Sequence, residues 1–175
     1  MWEMEFYFSV DQFRASEFNA TLKQFSGQSE SLEFGNFDGH LKGAIDLVFK
    51  ANGQYFILDY KSNFLGDSID DYQDAALQEV MQDHRYDVQY LLYTLATHRF
   101  LTHRFGDAYD YQRDFGGVYY LFLRGLALDL DLNMETAAIR SKQIISKVTN
   151  RKEGVLFIKP DAELIAALDR QVSTI

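Results

Sequence analysis

The chain has 175 residues, no cysteine and a formal net charge of −9. That length suits one domain with a sizeable core, and an apolar content of 47% argues for a globular fold over disorder. Disulfides and thiolate zinc sites are excluded, which suits the reducing cytoplasm, and the acidic balance argues against strong independent binding to phosphate backbones. Residues 1–8 lack a basic segment ahead of an apolar run, and no long uncharged apolar stretch follows, so neither a signal peptide nor a transmembrane helix is expected.

Residues 4–10 alternate apolar and polar side chains and predict a strand. Asp11 suits the cap of a short helix, and Phe18, Leu22 and Phe25 mark a second helical stretch. Residues 26–36 are rich in Gly and Ser and read as a loop. Residues 43–61 form a hairpin around Asn52-Gly53, a polar connection spans 63–71, and helices are expected over 72–83 and 86–105. Residues 117–123 read as a buried strand between glycines. Mixed charge over residues 128–152, with a helical centre near 137–148, gives 126–153 the look of a variable insertion. Residues 154–158 suit a last strand, and Pro160 suits the first turn of a terminal helix running through Leu168. Strands interleaved with helices, without an internal repeat, predict one α/β domain over residues 1–175.

The hairpin carries the chemistry. Asn52-Gly53 tolerates the positive φ of a type I′ turn. With those two residues as the loop, Ala51 pairs with Gln54, and the register sets Asp46 opposite Asp59 on one face, Cβ atoms roughly 4.5–5.5 Å apart. Lys61, two residues on, shares that face. Such a trio is common on a solvated strand. Here, however, the flanking runs are apolar (Ile45, Leu47, Val48, Phe49; Tyr55, Phe56, Ile57, Leu58), as in strands covered on both faces. Opposed carboxylates repel, and a hard divalent cation with oxygen ligands relieves the repulsion.

Asp46 followed by Asp59-Tyr60-Lys61 resembles the D…(D/E)xK arrangement of restriction-endonuclease-like nucleases. Four blocks in order sharpen the resemblance to RecB-type nuclease domains: Gly43-Ala-Ile-Asp-Leu-Val-Phe, Leu58-Asp-Tyr-Lys-Ser-Asn63, residues 84–96 and residues 115–125. The resemblance implies a mixed central sheet with a β-hairpin active site flanked by helices. It also implies Mg²⁺-dependent exonuclease activity on single-stranded DNA, within the RecBCD helicase–nuclease (exodeoxyribonuclease V) of double-strand break repair and recombination, with Mn²⁺ as a substitute ion. Asp46, Asp59 and the Tyr60 (or Leu58) carbonyl would be metal ligands. Lys61 would stabilise transition-state charge or orient the water. Gln89 and Tyr93, four apart on one helical face, match the family's Gln-x-x-x-Tyr motif; by spacing alone they are the polar edge of an amphipathic helix. RecC, RecD and RecA are the implied protein partners.

The family's upstream Gly-x-x-x-His helix has no counterpart before Asp46. The chain therefore reads as a C-terminal piece of a longer protein, its metal site short of one ligand and its activity weak in isolation. Glu5 and His40 are poor substitutes. His40, His84, His98 and His103 show no metal-site spacing and read as surface or helix-end residues; most of the 15 Phe and 11 Tyr read as core. The competing reading is a non-catalytic docking module for RecA or the other exodeoxyribonuclease V subunits.

Overall fold

A computed structural model of the protein describes residues 2–26, 37–129 and 153–172. Five strands form one mixed sheet in the order β1 (Trp2–Phe13), β2 (Phe37–Ala51), β3 (Gln54–Lys61), β4 (Phe115–Phe122) and β5 (Val155–Ile158). All neighbours are antiparallel except β3 and β4, which are parallel. A parallel pair needs a long crossover. Here it contains α2 (Asp74–Asp83), α3 (Tyr86–Phe105) and the short α4 (Tyr111–Asp114). The remaining helices among the described residues are α1 (Ala15–Ser26), α5 (Leu123–Asp129) and α6 (Ala162–Gln171). The expected α/β class, a mixed sheet with flanking helices, is what the structure shows.

The main core lies between one sheet face and α1, α3 and α6. Ile45, Val48, Ile57, Val118 and Tyr120 from the strands meet Phe18, Leu22, Leu91, Leu95, Leu164, Ile165 and Leu168 from the helices. Each fully buried aliphatic side chain contributes about 1.5–3 kcal/mol over an exposed one. The other face carries a smaller cluster, in which Leu47, Phe49, Leu58, Leu121 and Val155 meet Leu126 of α5. The apolar run of β3 is thus explained by two covered faces.

Asn52 (φ 50°) and Gly53 (φ 86°) occupy the left-handed region, as a type I′ hairpin turn requires. The ladder pairs Ala51 with Gln54 through to Leu47 with Leu58, the register expected from that turn. Between α2 and α3, Arg85 also takes a positive φ of 54° and reverses the chain. Its guanidinium pairs with Asp87 in the first turn of α3.

Several local expectations need correction. Asp11 lies inside β1, so it caps no helix; the first helix begins at Ala15. Pro160 precedes α6, whose cap is Asp161, its carboxylate accepting from the Glu163 and Leu164 N–H groups. Part of the polar connection is a short 3-10 turn (Ile69–Tyr72) closed by a capping box from Ser68 to Asp71. His98 is half-buried beside Tyr109 and Tyr111 rather than on the surface. The expected loop over 27–36 and the helical centre near 137–148 lie outside the described residues, as does most of the expected insertion.

Candidate active site

β2 and β3 part company where the acids sit. Between β1 and β2 the register slips: Met4 pairs with Ile45 but Trp2 with Val48, so β2 carries one extra residue across Asp46 and Leu47. This is a β-bulge, which bends a strand and re-aims a side chain. Ile45 and Val48 consequently both face the main core. The simple cross-strand pair of Asp46 with Asp59 is not formed, because the described β2–β3 ladder ends at Leu47 and Leu58. Instead, the Asp46 Oδ2 accepts the Tyr60 N–H at 2.8 Å, taking the place of a ladder carbonyl. Asp46 is exposed, and Asp59 is only 3% exposed. In a strand the N–H and C=O of one residue point to the same side, so the Tyr60 carbonyl also turns toward β2.

Asp59 and Lys61 project to the face that α3 covers. Lys61 Nζ lies 2.6 Å from Asp59 Oδ2 and donates to Gln89 Oε1 at 2.8 Å. The Asp59 contact is an ion pair without the alignment of a hydrogen bond, so that buried oxygen has no directed donor. Burial pushes the Asp59 carboxyl above its usual range; Lys61 opposes the push and the neighbouring Asp46 charge adds to it.

Gln89 is the hub on α3. Its Oε1 accepts from Lys61 and from Tyr120 Oη at 3.2 Å, while its Nε2 donates to Tyr93 Oη at 2.9 Å. The opposite amide orientation would set an NH₂ against the ammonium, so the network admits one arrangement. Burial pushes the Tyr93 hydroxyl up to about 12, helped by the Asp59 charge, and it keeps its proton at neutral pH. Gln89 and Tyr93 thus meet Asp59 and Lys61 at the N-terminal end of α3.

Two residues in this site were not anticipated. Lys61 Nζ lies 3.8 Å from the Tyr86 ring centroid and 5.1 Å from that of Tyr120. The two rings stack at 6.0 Å, giving the ammonium an aromatic wall worth roughly 0.5–2 kcal/mol. Tyr86 lies three residues before Gln89, a spacing visible in the sequence. Tyr120 reaches the site only through the parallel register that pairs it with Asp59.

The donor set fits a hard divalent cation: two carboxylates, one of them buried and ion-paired with Lys61 through an oxygen that accepts no hydrogen bond, and a backbone carbonyl turned toward β2. Among the described residues no group of three or more His, Asp and Glu side chains comes together. Glu5 sits on β1 opposite Ala44 and lies 3.4 Å from Tyr7 Oη. His40 lies in β2, its backbone paired with Ser9 of β1, six residues before Asp46.

Comparison with known proteins decides the family. Residues 8–170 match the model of the PD-(D/E)XK nuclease superfamily. The chain belongs to that superfamily. Its curated relatives include the RecBCD enzyme subunit RecB of Escherichia coli (strain K12), 43% identical over 171 residues, and that of Haemophilus influenzae, 44% identical over 169. The RecB subunit of Buchnera aphidicola subsp. Schizaphis graminum is 34% identical over 174 residues. These alignments take in 95–97% of the chain but only 12–13% of each relative. Among the described residues no helix is long and apolar enough to cross a membrane.

Proposed function

We propose that this PD-(D/E)XK domain is a Mg²⁺-dependent exodeoxyribonuclease acting on single-stranded DNA, as part of a RecBCD-type helicase–nuclease in break repair and recombination. The observation that carries the reading is Lys61, fixed between Asp59, Gln89 and the Tyr86 ring at the point where Asp46 ends the β2–β3 ladder. Asp46, Asp59 and the Tyr60 carbonyl would hold the ion. A bound divalent cation supplies Lewis-acid polarisation of the phosphate and a more acidic water. Lys61 offers positive charge where the phosphoryl oxygens gain negative charge; Gln89 holds Lys61 in place, and Gln89 and Tyr93 would position the strand. Mn²⁺ is expected to substitute for Mg²⁺. RecC, RecD and RecA are the proposed protein partners, and the cytoplasm the proposed compartment.

Two carboxylates and a carbonyl complete only part of an octahedral shell, so the chain by itself should bind ions weakly and cut slowly. Its net charge of −9 also gives little phosphate neutralisation. The test has two readouts: Mn²⁺ binding followed by water-proton relaxation, and single-turnover degradation of labelled single-stranded DNA with the chain in excess. Millimolar binding and slow cleavage are expected, both lost in Asp59→Ala, with cleavage also lost in Lys61→Ala. Cleavage that survives Asp59→Ala, or no ion binding at all, defeats the proposal. Submicromolar affinity would expose a further ligand.

A further inference from the structure

We propose that Phe64 and Arg124 form a strand-binding platform beside the site, Phe64 stacking on a base and Arg124 holding the adjoining phosphate of single-stranded DNA. The inference rests on the nuclease reading above and adds where the strand is gripped. Phe64 is 59% exposed. It stands three residues after Lys61, at most roughly 11 Å along the chain. Among the described residues Tyr60 (47%) and Leu123 (45%) are the other large apolar side chains exposed at this end of β3 and β4.

Arg124 is anchored without being neutralised. Its Nε donates to the Ser62 carbonyl at 3.0 Å, and its guanidinium carbon sits 5.6 Å from the Phe64 ring centroid. Both partners belong to the segment that leaves Lys61. Arg14, Arg85, Arg99 and Arg113 are each paired with a carboxylate. Among the described residues Arg124, like Arg104 and Arg170, has no such partner, and of these three it is the one that is hydrogen-bonded to the segment leaving Lys61. With Nε committed to Ser62, the two terminal nitrogens of a planar fork remain for a phosphate. Lys61 pairs with Phe122 in the β3–β4 ladder, so Arg124 follows two residues beyond the catalytic register. A cation fixed on an aromatic ring offers one flat and one charged surface side by side, which is the repeating chemistry of a nucleotide in a single strand.

The experiment is fluorescence anisotropy of a labelled oligothymidylate with the chain in Ca²⁺ at low salt, together with thermal melts of every variant. Phe64→Leu should weaken binding about 5- to 150-fold, the range of one lost base stack, and Phe64→Trp should restore it. Arg124→Gln should weaken binding and lower the slope of log K against log salt by about 0.7. With an oligonucleotide abasic at every position, the Phe64→Leu effect should vanish and the Arg124→Gln effect persist. A merely structural pair would shift melting temperatures and leave the salt slope alone. Unchanged affinity and slope in both variants, or no binding at millimolar chain, overturns the platform. If Asp59-dependent cleavage then persists, the nuclease reading stands without it. Weakened binding alongside cleavage indifferent to Asp59 would do the reverse.

Discussion

Replacing Gln89 with Leu tests the idea that one amide organises the site. Leucine keeps approximate volume but removes the acceptor for Lys61 and the donor to Tyr93. A hydrogen bond from a charged donor contributes about 1.5–3 kcal/mol and a neutral one about 0.5–1.5 kcal/mol. Tyr120 is fully buried and retains the Tyr86 carbonyl at 3.4 Å as an alternative acceptor, so its loss is small. The added apolar contact of leucine offsets about 1 kcal/mol. The net expectation is a destabilisation of roughly 2–3 kcal/mol, or ~4–12 °C in melting temperature for a chain of this size. Urea unfolding followed by circular dichroism measures it, with an unchanged slope confirming that the folded state is intact. Single-turnover cleavage should fall about a hundredfold, because a freed lysine is misplaced by an ångström or more. The reasoning is refuted if the midpoint shift corresponds to under ~0.5 kcal/mol. It is equally refuted if Gln89→Leu and Lys61→Met prove additive within ~0.5 kcal/mol, since residues sharing a hydrogen bond should couple.

Two further outcomes probe the frame around the site. Burial holds the His98 imidazole below its usual range, against Asp169, which raises it, and with Arg99, which lowers it further; Tyr109 and Tyr111 are its ring neighbours. The native state then binds fewer protons than the unfolded one, so stability should be fully present above about pH 6.5 and decline as pH falls toward the native value. Chemical denaturation from pH 5 to 8 should show that slope in the parent and lose it in His98→Gln; an equal slope in both would be contrary. Gly125→Ala should cost about 1–3 kcal/mol, because a Cβ there would stand 2.5 Å from the fully buried Tyr72 ring. An unfolding midpoint that does not move would show that the contact between α5 and the Ile69–Tyr72 turn is looser than described.

What the sequence determined was mostly local. Asn52-Gly53 set the turn and hence the ladder down to Leu47 and Leu58, because a two-residue loop leaves one register. The strongly apolar run over 86–105 marked α3, Tyr86–Phe105, and the four-residue spacing put Gln89 and Tyr93 on one face of it. The family motifs carried the rest of the site's composition. Tertiary structure decided what depended on non-local pairing. The bulge at Asp46 exists because β1 pairs on the far side of β2 with a slipped register, which no spacing within the hairpin records. Tyr120 joined the site through a parallel ladder whose register is set across the whole α2–α4 crossover. The same crossover laid α3 over Asp59 and buried its carboxylate. Local spacing fixes which side chains share a face of one element; only the packing of elements onto one another fixes which of them lose water, and burial is what gives Asp59, Lys61 and Gln89 their grip on each other.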